Sequence, residues 1–183
     1  MLHNPKKKIV SINEDIPIIL AGVIPESIVD GPELRFVVFV QGCPHNCKNC
    51  HNPETHDFDG GSLTTTGKIW QKISANPLLK GVTFSGGEPF VWAHELAVVG
   101  EAAHKAGLSV LTYSGYTWEQ LLEKSHTEPG VKELLTVADY LIDGPYIDSQ
   151  RDLNLLFRGS RNQRILDITC FPNSEKVTVL EKI

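Results

Sequence analysis

Three cysteines, Cys43, Cys47 and Cys50, lie within a stretch of eight residues. Thiolates are the usual ligands of iron–sulfur clusters, and a four-iron cluster normally has four of them. Three thiolates in one short loop can bind three irons and leave the fourth iron without a protein ligand. The spacing therefore predicts a cluster with one iron open to chemistry, rather than a cluster that only carries electrons.

A zinc site is the alternative interpretation of these cysteines. A nearby histidine would supply the fourth ligand, and three histidines lie close in the sequence, namely His45, His51 and His56. A structural zinc site usually shows two separate C-x-x-C pairs, whereas here all three cysteines share one loop. Zinc would also leave the glycine-rich segment Gly86-Gly87-Glu88 without an explanation.

The composition is that of an ordinary globular chain. It has 183 residues, of which 41% are hydrophobic and 21% charged, and this length suits a single domain. A net charge of -5 gives no electrostatic reason to expect nucleic acid. Clustered cysteines favour metal binding in a reducing cytoplasm over a secreted disulfide framework. The apolar run 16–24 is too short to span a bilayer, so no membrane partner is expected.

Strand and helix signals alternate along the chain. Residues 34–40 are almost all apolar and rich in β-branched side chains, which is typical of a strand buried on both faces. Further strands are predicted at 16–24, 81–84, 108–113, 138–142, 163–168 and 177–180. Helices are predicted at 68–75, between Trp92 and Gly107, after a capping box formed by Thr117 and Gln120, and from Pro129.

This alternation predicts an α/β fold whose core is a parallel sheet with right-handed crossovers. A complete eight-unit barrel needs about 250 residues, so this chain is expected to form an open, partial (β/α) barrel. The working residues of such barrels lie in the loops that follow the strands. Both the cysteine loop and the loop at Gly86 to Glu88 follow predicted strands.

These two motifs, in this order, resemble those of the radical S-adenosylmethionine enzymes. The resemblance implies a [4Fe-4S] cluster on Cys43, Cys47 and Cys50, with S-adenosylmethionine chelated to the open iron through its amino and carboxylate groups. It also implies that Gly86, Gly87 and Glu88 hold the amino group. Glycines let the backbone approach a ligand closely, and acceptor groups meet an ammonium.

Further segments resemble the activating enzymes of glycyl radical enzymes. They are Asp30-Gly31-Pro32, Gln41-Gly42-Cys43-Pro44 and Cys50-His51-Asn52-Pro53. Later segments, at 113–118, 141–146 and 157–164, are similar to those of activators of anaerobic ribonucleotide reductase. The resemblance implies one radical S-adenosylmethionine domain over 1–183, with an N-terminal extension at 1–29 and a core at about 30–170.

The activity implied by the resemblance is the transfer of a radical to another protein. Reductive cleavage of S-adenosylmethionine would generate a radical that removes a hydrogen atom from a glycine of the partner. The implied partners are the large glycyl radical subunit of anaerobic ribonucleotide reductase and an electron donor of the flavodoxin or ferredoxin type. The alternatives are an activator of pyruvate formate-lyase, an enzyme making 7-carboxy-7-deazaguanine, and a binding module without enzymatic activity that holds zinc or an iron–sulfur cluster.

The residues around the third cysteine and Asp143 are further candidates for the cofactor site. Many enzymes of this type have an aromatic residue just before the third cysteine, facing the adenine, and here that residue is Asn49. The segment of Asn49, Cys50 and His51 is expected to meet the adenine edge by hydrogen bonds. Asp143, which follows a predicted strand, could contact the ribose or a cation, or instead cap the next turn.

Four other residues are secondary candidates for functional roles. Arg158, Arg161 and Arg164 could order the cofactor or the partner, or form a solvated basic edge. Cys170 lies far from the cysteine loop and is expected to be a small buried core residue.

Overall fold

The centre of the molecule is an eight-stranded sheet. The computed structural model describes residues 10–173, 176–181 and 183. The strands are β1 (Pro17–Ser27), β2 (Arg35–Val40), β3 (Ser62–Thr65), β4 (Gly81–Gly86), β5 (Ser109–Tyr113), β6 (Tyr140–Asp143), β7 (Arg164–Asp167) and β8 (Thr178–Leu180). The α-helices are α1 (Thr66–Ala75), α2 (Ala93–Lys105), α3 (Trp118–Ser125) and α4 (Pro129–Val137).

The sheet has a parallel centre and antiparallel flanks. Its strand order is β3-β1-β2-β4-β5-β6-β7-β8. The four central strands, β2, β4, β5 and β6, are parallel. Within the described residues β3 and β8 are the two ends of the sheet and do not pair with each other, so the barrel is open. The predicted α/β fold with a partial barrel and a parallel core is confirmed.

The flanking strands differ from the sequence prediction. Strands were expected at 163–168 and 177–180 as continuations of the parallel pattern, but β7 and β8 run antiparallel to their neighbours. A parallel connection needs a crossover of a dozen or more residues, usually through a helix. Between β6 and β7 the chain forms only a short 3-10 turn at Asp148–Gln150, so it returns antiparallel. Strand β3 was not predicted, because Ser62–Thr65 has no strand periodicity.

The helices cover one face of the sheet and begin and end where the sequence signals predict. Thr117 and Gln120 form the capping box of α3, with their side chains bonded to each other's backbone N–H groups. Gly107 follows α2 with a φ of +77°, as a helix C-terminus requires. The main core lies between this helical layer and the sheet. A smaller cluster of Leu111, Ile142 and Ile165 lies on the opposite, inner face.

A buried arginine joins the amino ends of the parallel strands. Arg35, at the start of β2, is fully buried, and burial lowers the pKa of its guanidinium to about 10. The guanidinium donates to Thr83 Oγ1 at 2.7 Å, to the Val82 carbonyl at 2.6 Å and to Ser109 Oγ at 2.9 Å. A Cβ at Gly81 would lie 2.2 Å from Arg35 Nη1. Glycine at position 81 is therefore required by this buried cation.

The substitution Gly81→Ala tests this requirement. The added methyl group has to displace a guanidinium that several hydrogen bonds hold in place, so we expect a loss of about 2 kcal/mol in the free energy of unfolding. Gly22→Ala in β1 is the matched control, because a Cβ at Gly22 has no heavy atom within 4 Å. Urea unfolding of the metal-free protein measures the free energy of unfolding of both variants. Equal losses of this free energy in the two variants would contradict the role given to Arg35.

Candidate metal centre

One cavity brings together most of the residues predicted to do chemistry. It has a volume of about 490 Å³ and lies at the carboxyl ends of the parallel strands. The three half-buried thiols of Cys43, Cys47 and Cys50 border it. Of the residues predicted to bind the cofactor, His51, Gly86 and Gly87 also border it. Loops that are far apart in sequence therefore meet at one site, as the barrel prediction requires.

The cysteine loop turns sharply between its thiols. Asn46 and Asn49 have φ values of +48° and +56°, in the left-handed region that asparagine adopts more easily than most residues. Backbone hydrogen bonds from Gly42 to the Thr55 carbonyl, at 2.8 Å, and from Cys43 to the His56 carbonyl, at 3.2 Å, fix the start of the loop. The thiols are thus held around the cavity by bonds within the protein.

Burial disfavours the thiolate form of two of the cysteines. Burial raises the pKa of the Cys43 thiol to about 11, and burial also raises the pKa of Cys47. Only thiolates bind metal, so deprotonation here depends on positive charge in the cavity. The irons of a cluster supply such charge, and three thiols around a common space fit a cluster with three protein ligands.

The structure does not assemble a zinc site from the nearby histidines. Among the residues described, no three His, Cys, Asp or Glu side chains converge as ligands of a single ion, and this holds for the three cysteines as well as for the histidines. The Nε2 atom of His45 lies 2.7 Å from Glu88 Oε2, so this nitrogen is already engaged. The Nε2 atom of His56 is buried without a hydrogen-bond partner.

The two glycines after β4 bring two loop backbones into contact. A Cβ at Gly87 would lie 2.2 Å from the Gly42 carbonyl oxygen, and one at Gly86 would lie 2.6 Å from the Val40 nitrogen. Gly86 also has a φ of +95°. The Gly87 N–H donates to the Val40 carbonyl at 2.8 Å, and the Glu88 N–H donates to the Gly42 carbonyl at 2.9 Å. Side chains are thus excluded here, and bare backbone borders the cavity.

Glu88 is fully buried and does not border the cavity. Its Oε1 accepts hydrogen bonds from Phe90 N at 3.0 Å and Ser114 Oγ at 3.0 Å. Its Oε2 accepts from Gly115 N at 2.8 Å and is 2.7 Å from His45 Nε2. A carboxylate has about four acceptor positions, and protein groups occupy all four. Direct contact with a ligand, as predicted from the sequence, would require one of these bonds to break.

Asp143 is also buried, and its carboxylate joins α3 to β7. It accepts a hydrogen bond from the Trp118 N–H, at 2.7 Å, and pairs with the Arg164 guanidinium. Asp143 therefore accepts from the first residue of α3, whereas capping of the turn that follows it, one of its two predicted roles, is not observed. It does not border the cavity, so its predicted contact with ribose stays a prediction.

The remaining candidates occupy different surroundings. The Asn49 amide donates to Asp148 Oδ2 at 2.9 Å, across the mouth of the cysteine loop. Arg158 borders the cavity, whereas Arg161 is exposed and lies 3.9 Å from Asp152. Cys170 is partly exposed, so the prediction of a buried core residue is wrong, because it lies in a turn after β7.

The cavity also has walls that sequence reasoning missed. Ser114, Gly115 and Tyr146 border it, from the loops after β5 and β6. All three lie inside segments that resembled the activating enzymes, and each follows a predicted strand. Their position after a strand was the signal that could have singled them out.

Comparison with known proteins identifies the family. Residues 29–166 match the family model described as a 4Fe-4S single cluster domain. The chain belongs to this family. It is 33% identical over 153 residues to the anaerobic ribonucleoside-triphosphate reductase-activating protein of Vibrio cholerae, covering 77% of this chain and 92% of that protein. The corresponding protein of Haemophilus influenzae is 30% identical over 157 residues, covering 77% and 92%.

The chain is also similar to a second type of activating enzyme. The pyruvate formate-lyase 1-activating enzyme of Escherichia coli K12 is 30% identical over 158 residues, covering 82% of this chain but 61% of that protein. A weak structural likeness links 55% of the chain to 54% of QueE from Escherichia coli, with a TM-score of 0.44 and 18% identity. The resemblance to glycyl radical activating enzymes of the radical S-adenosylmethionine type is confirmed, and the chain is an enzyme of that type.

None of the helices in the part of the chain that the structure describes is both long and apolar enough to cross a bilayer.

Replacement of Glu88 tests whether its carboxylate holds the surrounding loops together. Glu88→Ala leaves four donors without their acceptor, so we expect the metal-free protein to lose about 3 kcal/mol of its free energy of unfolding. Glu88→Gln keeps one acceptor oxygen and should lose less. Glu123→Ala, at an exposed position of α3, is the control and should change the value by less than about 0.5 kcal/mol. Urea unfolding measures all three, and an unchanged value for Glu88→Ala would show that Glu88 does not hold the loops.

Proposed function

We propose that this enzyme activates anaerobic ribonucleoside-triphosphate reductase by generating a glycyl radical on its large subunit. The reaction is reductive cleavage of S-adenosylmethionine at one [4Fe-4S] cluster ligated by Cys43, Cys47 and Cys50. The observation that carries the proposal is the single cavity that holds all three thiols beside the bare backbone of Gly86 and Gly87. The relatives named as activators of this reductase, at 30 to 33% identity, support the choice of target.

The residues of the cavity fit both cofactors. When bound, the cluster supplies the one-electron reduction that cleaves S-adenosylmethionine to methionine and a 5′-deoxyadenosyl radical. The backbone of Gly86 and Gly87 borders the cavity, and carbonyl groups of this segment could accept hydrogen bonds from the methionine ammonium. Cys50 and His51 border the same space. The protein thus contributes binding, orientation and shielding, while the cofactors contribute the chemistry.

The mouth of the cavity suits a protein substrate. Val29 and Leu153 border the cavity and are 73% and 81% exposed. Large exposed apolar side chains at the rim of a polar site are typical of surfaces that contact another protein. A loop of the reductase that carries the target glycine would lie across this rim. A flavodoxin- or ferredoxin-type protein in the cytoplasm would deliver the electron.

Activation of pyruvate formate-lyase is the second candidate, since that activating enzyme is 30% identical. The chain spans 61% of that relative and 92% of the two reductase activators. The segments at 113–118, 141–146 and 157–164, which resemble activators of the reductase, favour the reductase.

The first experiment tests the cluster and its ligands. Anaerobic reconstitution should give about four irons per chain, and dithionite with S-adenosylmethionine should release 5′-deoxyadenosine. Cys47→Ala removes one of three ligands and should abolish this release. Cys170→Ala is the matched control, because Cys170 does not border the cavity, and it should behave as the parent protein. Full cleavage by Cys47→Ala, or a colourless protein with one zinc, would overturn the cluster assignment.

The second experiment tests the target. The reconstituted enzyme, S-adenosylmethionine and a reductant are mixed in turn with anaerobic ribonucleotide reductase and with pyruvate formate-lyase. Electron paramagnetic resonance should detect the glycyl doublet with the reductase. A doublet only with pyruvate formate-lyase would contradict the proposed target. The proposed radical chemistry would still hold in that case.

A further inference from the structure

An aromatic pair forms part of the cavity wall beside the cysteine loop. The rings of His51 and Tyr146 both border the cavity, with their centroids 4.9 Å apart and their planes inclined by 47°. His51 follows the third cysteine directly, while Tyr146 comes from the loop after β6. The wall therefore joins the proposed cluster ligands to a residue almost a hundred positions away.

Tyr146 is attached to the cysteine loop through Asp148. Its hydroxyl donates to Asp148 Oδ1 at 3.3 Å. The other oxygen of the Asp148 carboxylate accepts the hydrogen bond from the Asn49 amide, at 2.9 Å. One carboxylate thus connects the side chain of Asn49 to the ring of Tyr146. Through this bridge the ring keeps a fixed position relative to the thiols.

The backbone at Gly159 leaves the rings uncovered. A Cβ at this position would lie 3.1 Å from Cδ2 of Tyr146 and 3.2 Å from Cε1 of His51. The Gly159 N–H donates to Gln163 Oε1 at 2.8 Å, so the backbone cannot easily move away. A side chain here would occupy the space beside the rings. Glycine at position 159 therefore adds no side chain to the part of the cavity that both rings border.

Other rings also border the cavity, Phe39 among them, and two of these, Tyr113 and Phe157, do not offer a free aromatic surface. Tyr113 and Phe157 pack against the inner cluster of Leu111, Ile142 and Ile165. The Tyr113 hydroxyl is also committed to the Phe157 carbonyl, at 2.8 Å. Their apolar area is already used within the protein.

We propose that Tyr146, supported by His51, stacks against the purine ring of S-adenosylmethionine. Asn49 does not contact the purine in this arrangement, and it positions Tyr146 through Asp148. A purine is flat and polarisable, so it binds best to an open aromatic face. This inference rests on the proposed function, which places S-adenosylmethionine in the same cavity. It assigns a binding role to a residue that neither the cysteine motif nor the glycine motif includes.

The test compares two ligands of the reconstituted, oxidised enzyme by equilibrium dialysis under anaerobic conditions. S-adenosylmethionine carries both the purine and the methionine group, whereas 5′-methylthioadenosine carries the purine alone. Tyr146→Leu removes the ring and should weaken the binding of both ligands roughly tenfold. Tyr146→Phe keeps the ring and should bind both within about twofold of the parent protein, since it loses only the bond to Asp148.

Tyr140→Leu is the matched control, because Tyr140 lies in β6 and does not border the cavity. Iron content is measured for every variant. If Tyr146→Leu loses iron, binding of 5′-methylthioadenosine to the metal-free proteins decides the question, since the purine does not need the cluster. Unchanged affinity for 5′-methylthioadenosine in Tyr146→Leu would overturn the inference. If the parent protein binds no S-adenosylmethionine, the proposed function fails instead.

Discussion

The buried carboxylate of Glu88 is the interaction on which the site depends. Parallel strands end at the same edge of a sheet, so a single side chain there can reach the loops that follow several strands. Glu88 binds His45 in the cysteine loop, Phe90 in its own loop, and Ser114 and Gly115 in the loop after β5. A buried charge is stable only when its hydrogen-bonding capacity is filled. The three loops therefore hold one another in a single arrangement.

Arg35 has the corresponding role at the opposite end of the strands. It is fully buried at the start of β2, and its guanidinium bonds to groups on β4 and β5. An open barrel lacks the last strand pairing that would lock its curvature. Two buried ions of opposite charge, one at each end of the parallel strands, tie together the three strands nearest the cavity.

Local features of the fold could be predicted from the sequence, and long-range side-chain partners could not. The capping box at Thr117 and the terminating Gly107 are signals contained within a few residues. The partners of Asp143 are separated from it by 25 and 21 positions, so no local pattern revealed its two bonds. The motif singled out Glu88 as a cofactor-binding residue, which stays a prediction, and only the structure shows that its acceptor positions are filled. Strand β7 runs antiparallel because no α-helix forms between β6 and β7. The pattern of strand residues does not show the direction of a strand.

The contacts that shape the cavity are bonds between protein groups. Glu88 and backbone bonds such as that from Gly87 to Val40 fix its walls, and none of these bonds uses a cysteine sulfur. Small metal-dependent domains unfold when their ion is removed, because the binding site does not exist without it. Here the walls do not depend on a metal, so the cavity is expected to form when the chain folds and to receive its cofactors afterwards.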